Sequence, residues 1–155
     1  MEHCTEGDLG KLLKDMRESN RNLNEQTIWT IFYQVCQAIN ICHSREKKII
    51  HRDLKPSNIF LDENMTVKLG DFGLSKVMTG SVFATTHVGT PYYMAPELID
   101  DQTYNEKIDI WAIGCILYEM AAKVPPFQAK NILQLAMKIK KGKIRRIPSQ
   151  YSDNL

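Results

Sequence analysis

A chain of 155 residues, 43% of them hydrophobic, suits one compact domain or lobe and is too apolar for wholesale disorder. Its formal net charge of +2 excludes a global field aimed at nucleic acid or a membrane surface. The four cysteines (Cys4, Cys36, Cys42, Cys115) contain no C-x-x-C pair, so they read as reduced thiols of an intracellular protein, cytoplasmic or nuclear, rather than a disulfide framework or a zinc site. Met1-Glu2-His3 opens no apolar signal segment.

In chain order, Leu9, Leu12, Leu13 and Met16 recur at i, i+3, i+4, i+7 and predict a short helix despite Gly10. The polar run from Arg17 to Asn24 is a loop. Asn24 is placed to cap a second helix, with Glu25 in its first turn and Ile28, Ile31, Phe32, Val35 and Ile39 on one face. This helix should end near Ser44, where the charges Arg45 to Lys48 begin. Ile59 to Leu61 and Val67 to Leu69 read as two strands joined by an Asp62-Glu63-Asn64 turn. Gly70 to Pro96 shows no sustained period, and a loop that long inside a compact domain is usually functional. Helix returns from about Asn105 to Ala122. Its apolar part, Ile108 to Ala122, is interrupted by Asp109 and Glu119, so it reads as a buried core helix and not a membrane span. Ile132, Leu135, Ala136 and Ile139 mark a last amphipathic helix, followed by a basic and then polar tail. The basic run Lys138 to Arg146 reads as a solvated face rather than a nucleic-acid site. The fold expected is mainly α with a short β-hairpin.

Between the second helix and the hairpin lies IIHRDLKPSNIFLD, residues 49–62, dense in ordered polar groups. Its H-R-D-L-K-P-S-N run, His51 to Asn58, matches the catalytic-loop pattern of protein kinases. Asp71-Phe72-Gly73 follows 13 positions after Asn58, and Ala95-Pro96-Glu97 comes later, in the order of the D-F-G and A-P-E patterns. Any one tripeptide is weak; three in order and at fitting spacing are strong. Phosphoryl transfer accounts for the residue types, because its loose transition state needs positioning and charge compensation. Asp53 fits the carboxylate that orients an attacking hydroxyl and accepts its proton. Asn58 and Asp71 offer the hard oxygens Mg2+ prefers, and Lys55 supplies a cation beside the transferred phosphoryl group.

The whole chain resembles the large C-terminal lobe of a protein kinase, and among these the NIMA-related serine/threonine kinases. The resemblance is carried by MEHCTEGDL, HRDLKPSNIFLD, VKLGDFGLSK, FATTHVGTPYYMAPE, YNEKIDIWAIGCILYEM with PPFQAK, and KIKKGKIRRIP. It implies a serine/threonine protein kinase that uses ATP and Mg2+ on protein substrates, activated by an upstream kinase or by autophosphorylation, with no nucleic-acid or membrane partner. Backbone groups of Glu2 and Cys4 would bond the adenine edge, Phe60 would form its floor and Asp8 would reach the ribose. Thr90 would bond Asp53 and Lys55. Thr86 would be the regulatory phosphosite, paired with Arg52 and Lys76. His51 would hold the loop, Asp109 would anchor it from the central helix, and Glu97 would pair with an arginine of a later helix.

No G-x-G-x-x-G loop and no V-A-I-K lysine occur in the 155 residues. The expectation is therefore a partial kinase domain over 1–155, running from the hinge through the helix after the central one. Taken alone it is expected to be an incomplete catalyst. The alternative is a kinase-like lobe that serves as a protein-interaction module without turnover.

Overall fold

The computed structural model describes residues 7–70 and 91–155. A two-residue strand β1 (Gly7–Asp8) leads directly into α1 (Leu9–Glu18), which Asp8 caps by accepting from the Lys11 backbone N–H at 2.9 Å. Helix α2 (Glu25–His43) begins at Asn24, whose side chain accepts from Thr27 N at 2.7 Å, and stops at Ser44. Both the cap and the stop agree with the sequence pattern. A single 3₁₀ turn (Pro56–Asn58) then feeds the strands β2 (Ile59–Leu61) and β3 (Val67–Leu69). Pro56 suits the first position of that turn, where its missing N–H has no bond to make.

The hairpin is closed by Asp62, whose side chain accepts from Asn64 N and Thr66 N while Met65 takes a left-handed φ of 60°. Strand β1 adds to the hairpin, giving an antiparallel sheet in the order β1-β2-β3, with Asp8 opposite Phe60 and Phe60 opposite Lys68. From α2, Gln34 clamps the hairpin: its amide donates to Met65 O and accepts from Val67 N, both at 3.0 Å.

The second part holds a four-residue helix α3 (Pro96–Ile99), the long α4 (Lys107–Ala122) and α5 (Ile132–Lys141). Helix α4 starts at Lys107, two residues after the Asn105 expected from the sequence, and Asn105 instead spends its side chain on an Asx turn to Lys107 N. Helices α2 and α4 pack together, and Ile28, Ile31, Val35 and Ile39 meet Ala112, Ile113, Ile116 and Met120 in the main core. The same core takes Leu9 and Leu13 from α1 and Ile59 and Leu61 from β2. Burying a side chain of this size is worth about 1.5–3 kcal/mol, so this shared core joins the sheet to the helices.

The polar tail folds back on the first half. Tyr151 is buried and donates to Leu23 O at 2.9 Å, and Ser152 gives two hydrogen bonds to the Glu25 carboxylate. Those bonds, the backbone one foremost, hold the Glu25 carboxyl below the usual range. Among the described residues no helix is long and apolar enough to cross a membrane.

Candidate active site

The segment from Ile49 to Lys55 is irregular and runs into the Pro56–Asn58 turn, yet His51, Leu54, Pro56 and Asn58 are buried. Buried irregular backbone needs partners. Asp109, in the first turn of α4 and 1% exposed, supplies them. Its Oδ1 accepts from Arg52 N at 2.9 Å, and its Oδ2 accepts from His51 N at 2.9 Å and from the His43 ring at 2.8 Å. A carboxylate and a carbonyl both only accept, so His43 Nε2 and His51 Nε2 each carry a hydrogen; His51 Nε2 donates to Gly70 O at 3.0 Å. One carboxylate thus ties the end of α2, two loop residues and α4 together. The loop's bend is completed at Arg52, whose φ of 69° is left-handed.

That bend places Asp53 and Lys55 half-exposed on the outer side of the loop. Asp53 Oδ2 accepts from Lys55 Nζ at 2.7 Å and from Asn58 Nδ2 at 3.1 Å. Asn58 Nδ2 also donates to Asp53 O at 2.8 Å. With its amide nitrogen committed, Asn58 keeps its carbonyl oxygen free of donors among the described residues. That is the hard-oxygen chemistry a divalent cation takes, so the residue fits a metal ligand. Among the described residues no group of three His, Cys, Asp or Glu side chains forms a metal cage, so Asn58 would need further oxygens.

Beside this centre, Asp8 and Phe60 sit side by side as cross-strand partners. Phe60 is half-buried, on the face of β2 opposite the buried Ile59 and Leu61. A Cβ on Gly70 would come within 2.4 Å of the Phe60 ring, so only glycine lets the chain after β3 pass against that aromatic face. Gly10 has the matching role on the other side. A Cβ there would come within 2.9 Å of Asp8 Oδ1, so glycine inside α1 leaves room for the carboxylate that caps the helix, while Ser57 N at 3.4 Å would be an ordinary contact.

The structure therefore gathers Asp8, His51, Arg52, Asp53, Lys55, Asn58, Phe60 and Asp109 around one loop. Glu97 stands apart on α3, half-buried and with no ion-pair partner among the described residues. Glu2, Cys4, Asp71, Lys76, Thr86 and Thr90 lie outside the described residues.

A second polar cluster was not foreseen from the sequence. Glu119, buried in the last turn of α4, accepts from Tyr93 Oη at 2.6 Å and lies 3.8 Å from the Arg17 guanidinium of α1. Burial pushes the Glu119 carboxyl up, against the pull of Tyr93 and Arg17. Burial, with Glu119 behind it, also raises the Tyr93 phenol, and it takes the neighbouring Cys115 thiol to about 12. Tyr93 is therefore a fixed neutral donor and Cys115 an inert thiol. The signal available in the sequence was a glutamate inside an otherwise apolar helix.

Residues 1–154 match the family described as the protein kinase domain. The chain belongs to the protein kinase family. Among curated relatives, this kinase chain is 50% identical to the probable serine/threonine-protein kinase nek2 of Dictyostelium discoideum, covering all of the chain and 37% of that protein. It is 46% identical to the serine/threonine-protein kinase Nek2 of Homo sapiens, with 36% of that protein covered, and 45% identical to the G2-specific protein kinase nim-1 of Neurospora crassa, with 21% covered. The chain is thus similar to NIMA-related kinases along its whole length and spans little more than a third of these relatives at most. The kinase family works with ATP and a divalent metal on protein substrates.

Proposed function

We propose that this chain is the large-lobe part of a serine/threonine protein kinase that moves the γ-phosphate of ATP to a protein hydroxyl. The observation that carries the proposal is Asp53 Oδ2, presented half-exposed and held by both Lys55 and Asn58 on a loop anchored from beneath by Asp109. In this reading Asp53 orients the serine or threonine hydroxyl and takes its proton as the oxygen bonds to the γ-phosphorus. The bond from that phosphorus to the β,γ-bridging oxygen breaks, and ADP leaves. Lys55 offsets charge on the transferred group, and Thr90 steadies Asp53 and Lys55. Asn58 and Asp71 would hold Mg2+, which when bound neutralises phosphate charge. The adenine would lie on Phe60 with its edge on backbone groups of Glu2 and Cys4, and Asp8 would take the ribose.

The proposal extends to control. Among the described residues the buried Arg52 Nε has no hydrogen-bond partner, and the guanidinium lies over the Tyr104 ring, 5.5 Å from its centroid. A phosphate on Thr86, added by an upstream kinase or in autophosphorylation, would give Arg52 and Lys76 an anion to bind.

The test is label transfer from γ-labelled ATP to a general acceptor protein with magnesium. It compares the 155-residue chain, the chain joined behind the small lobe of the Dictyostelium relative, and the joined protein with Asp53→Asn. The joined protein should be active and the chain alone should match the Asp53→Asn background. Asp53→Asn should keep nucleotide affinity and lower kcat by about 10² or more. Near-normal kcat in Asp53→Asn would sink the assignment of the base. Activity of the chain alone above background would sink the partial-domain reading.

A further inference from the structure

The serine hydroxyls of the described residues are used unequally. Ser19 Oγ donates to Asp15 O at 2.6 Å, Ser44 Oγ to Asn40 Oδ1 at 3.3 Å and Ser152 Oγ to Glu25 Oε1 at 2.5 Å. Ser57 belongs to the 3₁₀ turn of the site already described. Ser149 is exposed, lies far along the chain from that site, and its hydroxyl has no hydrogen bond among the described residues.

Its surroundings are those of an acceptor. Arg146 and Arg145 stand three and four residues before it, and residues 143–150 hold three cations and no acid. Arg145 has no ion-pair partner among the described residues. Arg146 pairs with Asp153, but the two side chains are 79% and 89% exposed, so the pair is weak and the guanidinium can change partners. Helix α5 ends at Gly142, whose φ of 63° is left-handed, and Tyr151 is pinned by its bond to Leu23 O. Between these anchors residues 143–148 form neither helix nor strand. No backbone N–H from 143 to 150 donates to another backbone group among the described residues. An enzyme can therefore take this stretch in extended form without breaking an element. Ser149 sits at the tip, in the turn closed by Tyr151 N on Pro148 O at 3.3 Å.

We propose that Ser149 is a phosphate-acceptor site for an arginine-directed serine/threonine kinase, a different enzyme whose cleft carries carboxylates complementary to Arg145 and Arg146. Ser149 Oγ bonds to the γ-phosphorus of ATP held by that enzyme. The bond from phosphorus to the β,γ-bridging oxygen breaks, ADP leaves, and the hydroxyl proton passes to that enzyme's base. Guanidinium–carboxylate contacts supply the selectivity. The product sets a charge of about −1.5 to −2 among three cations and so cancels much of the positive charge of this stretch. The tail stays docked, because Tyr151 and Ser152 keep bonds to Leu23 and Glu25 in which Ser149 has no part. Ser152 is the contrasting case: a phosphate there would face the Glu25 carboxylate. The proposal does not depend on turnover by this chain.

The experiment incubates the full 155-residue chain with γ-labelled ATP, magnesium and the catalytic subunit of cyclic-AMP-dependent protein kinase, an arginine-directed enzyme, beside a blank without that enzyme. About one phosphate per chain is expected, placed on Ser149 by peptide mapping and mass spectrometry. Ser149→Ala should abolish the labelling and Ser152→Ala should leave it unchanged. Arg145→Gln/Arg146→Gln should lower kcat/KM for labelling by about 10-fold or more. Circular dichroism checks that each variant is folded, and melts before and after labelling should coincide. Label elsewhere with Ser149 bare, or an unchanged kcat/KM in the arginine variant, would overturn the proposal. So would a peptide of residues 142–155 labelled more than about 100-fold faster than the folded chain, since the fold would then hide the hydroxyl. Equal labelling of Ser149 in the blank would overturn the assignment to a different enzyme.

Discussion

Helix α4 carries two buried carboxylates, Asp109 in its first turn and Glu119 in its last, and the two ends treat them differently. At the N-terminal end the helix dipole favours a negative charge, and Asp109 collects two backbone N–H groups and an imidazole at 2.8–2.9 Å. At the C-terminal end the dipole disfavours one, and Glu119 has a single phenol donor and an arginine at 3.8 Å. Desolvation dominates there and pushes its carboxyl up. The same helix thus uses one acid as a fixed anchor for the HRD loop and holds the other at a cost. A buried acid in an apolar helix cannot be assigned a role until its donors are counted.

The largest effect expected from breaking this contrast is at Asp109. Asp109→Ala would leave the backbone N–H groups of His51 and Arg52 buried without acceptors and remove the partner of His43. Loss of one side of such a buried network costs about 3–5 kcal/mol. Chemical denaturation should show that loss, with hydrogen exchange rising first at residues 49–54. A loss below about 1 kcal/mol would mean that the loop is held by something other than this carboxylate.

A smaller effect is expected at the other end. Tyr93→Phe removes the donor to Glu119 and keeps the ring, so about 1–3 kcal/mol should be lost. The cost should be smaller in a Glu119→Gln background, because a neutral amide suffers less than a carboxylate from losing that bond. Denaturation of the four combinations gives the coupling directly. Additive losses would show that the 2.6 Å bond does not couple the two groups.

Much of this frame was legible in the chain. The period of α2, the apolar run of α4, the Asn24 cap and both hairpin strands stood in local patterns, and local patterns are what short-range sterics and hydrophobicity write. The H-R-D run located the loop, and the structure adds that Asp109 supports it across 57 and 58 residues of sequence. Strand β1 was not legible, since two residues carry no period and are recruited only by pairing with β2. Nor was Tyr151, whose bond to Leu23 spans 128 positions, or the meeting of Tyr93, Glu119 and Arg17 from three separate segments. Such contacts depend on where packing brings distant segments. Glycines were misleading too: Gly10 reads as a helix defect until the close approach of the capping Asp8 carboxylate explains it.

The smallest expected effect is one of pH, and it bears on whether Glu119 is held at a cost. Its carboxyl is raised from 4.5, chiefly by burial, so the folded chain binds this proton more tightly than the unfolded chain does. The stability that the protonated form contributes is complete below the unfolded value of about 4.5 and is lost as pH rises through the raised folded value. Glutamine mimics the protonated form at every pH and still accepts from Tyr93. Thermal melts of the unaltered chain and of Glu119→Gln should therefore nearly coincide near pH 4 and separate as pH rises toward 8, with the glutamine form the more stable. The lowered carboxyls of Glu25, Asp62 and Glu106 titrate alike in both chains and cancel in the difference. A gap that is constant with pH would remove the proton from the account. A gap that reverses, with glutamate the more stable at pH 8, would mean that Arg17 and Tyr93 together outweigh burial and that the two ends of α4 hold their acids in the same way.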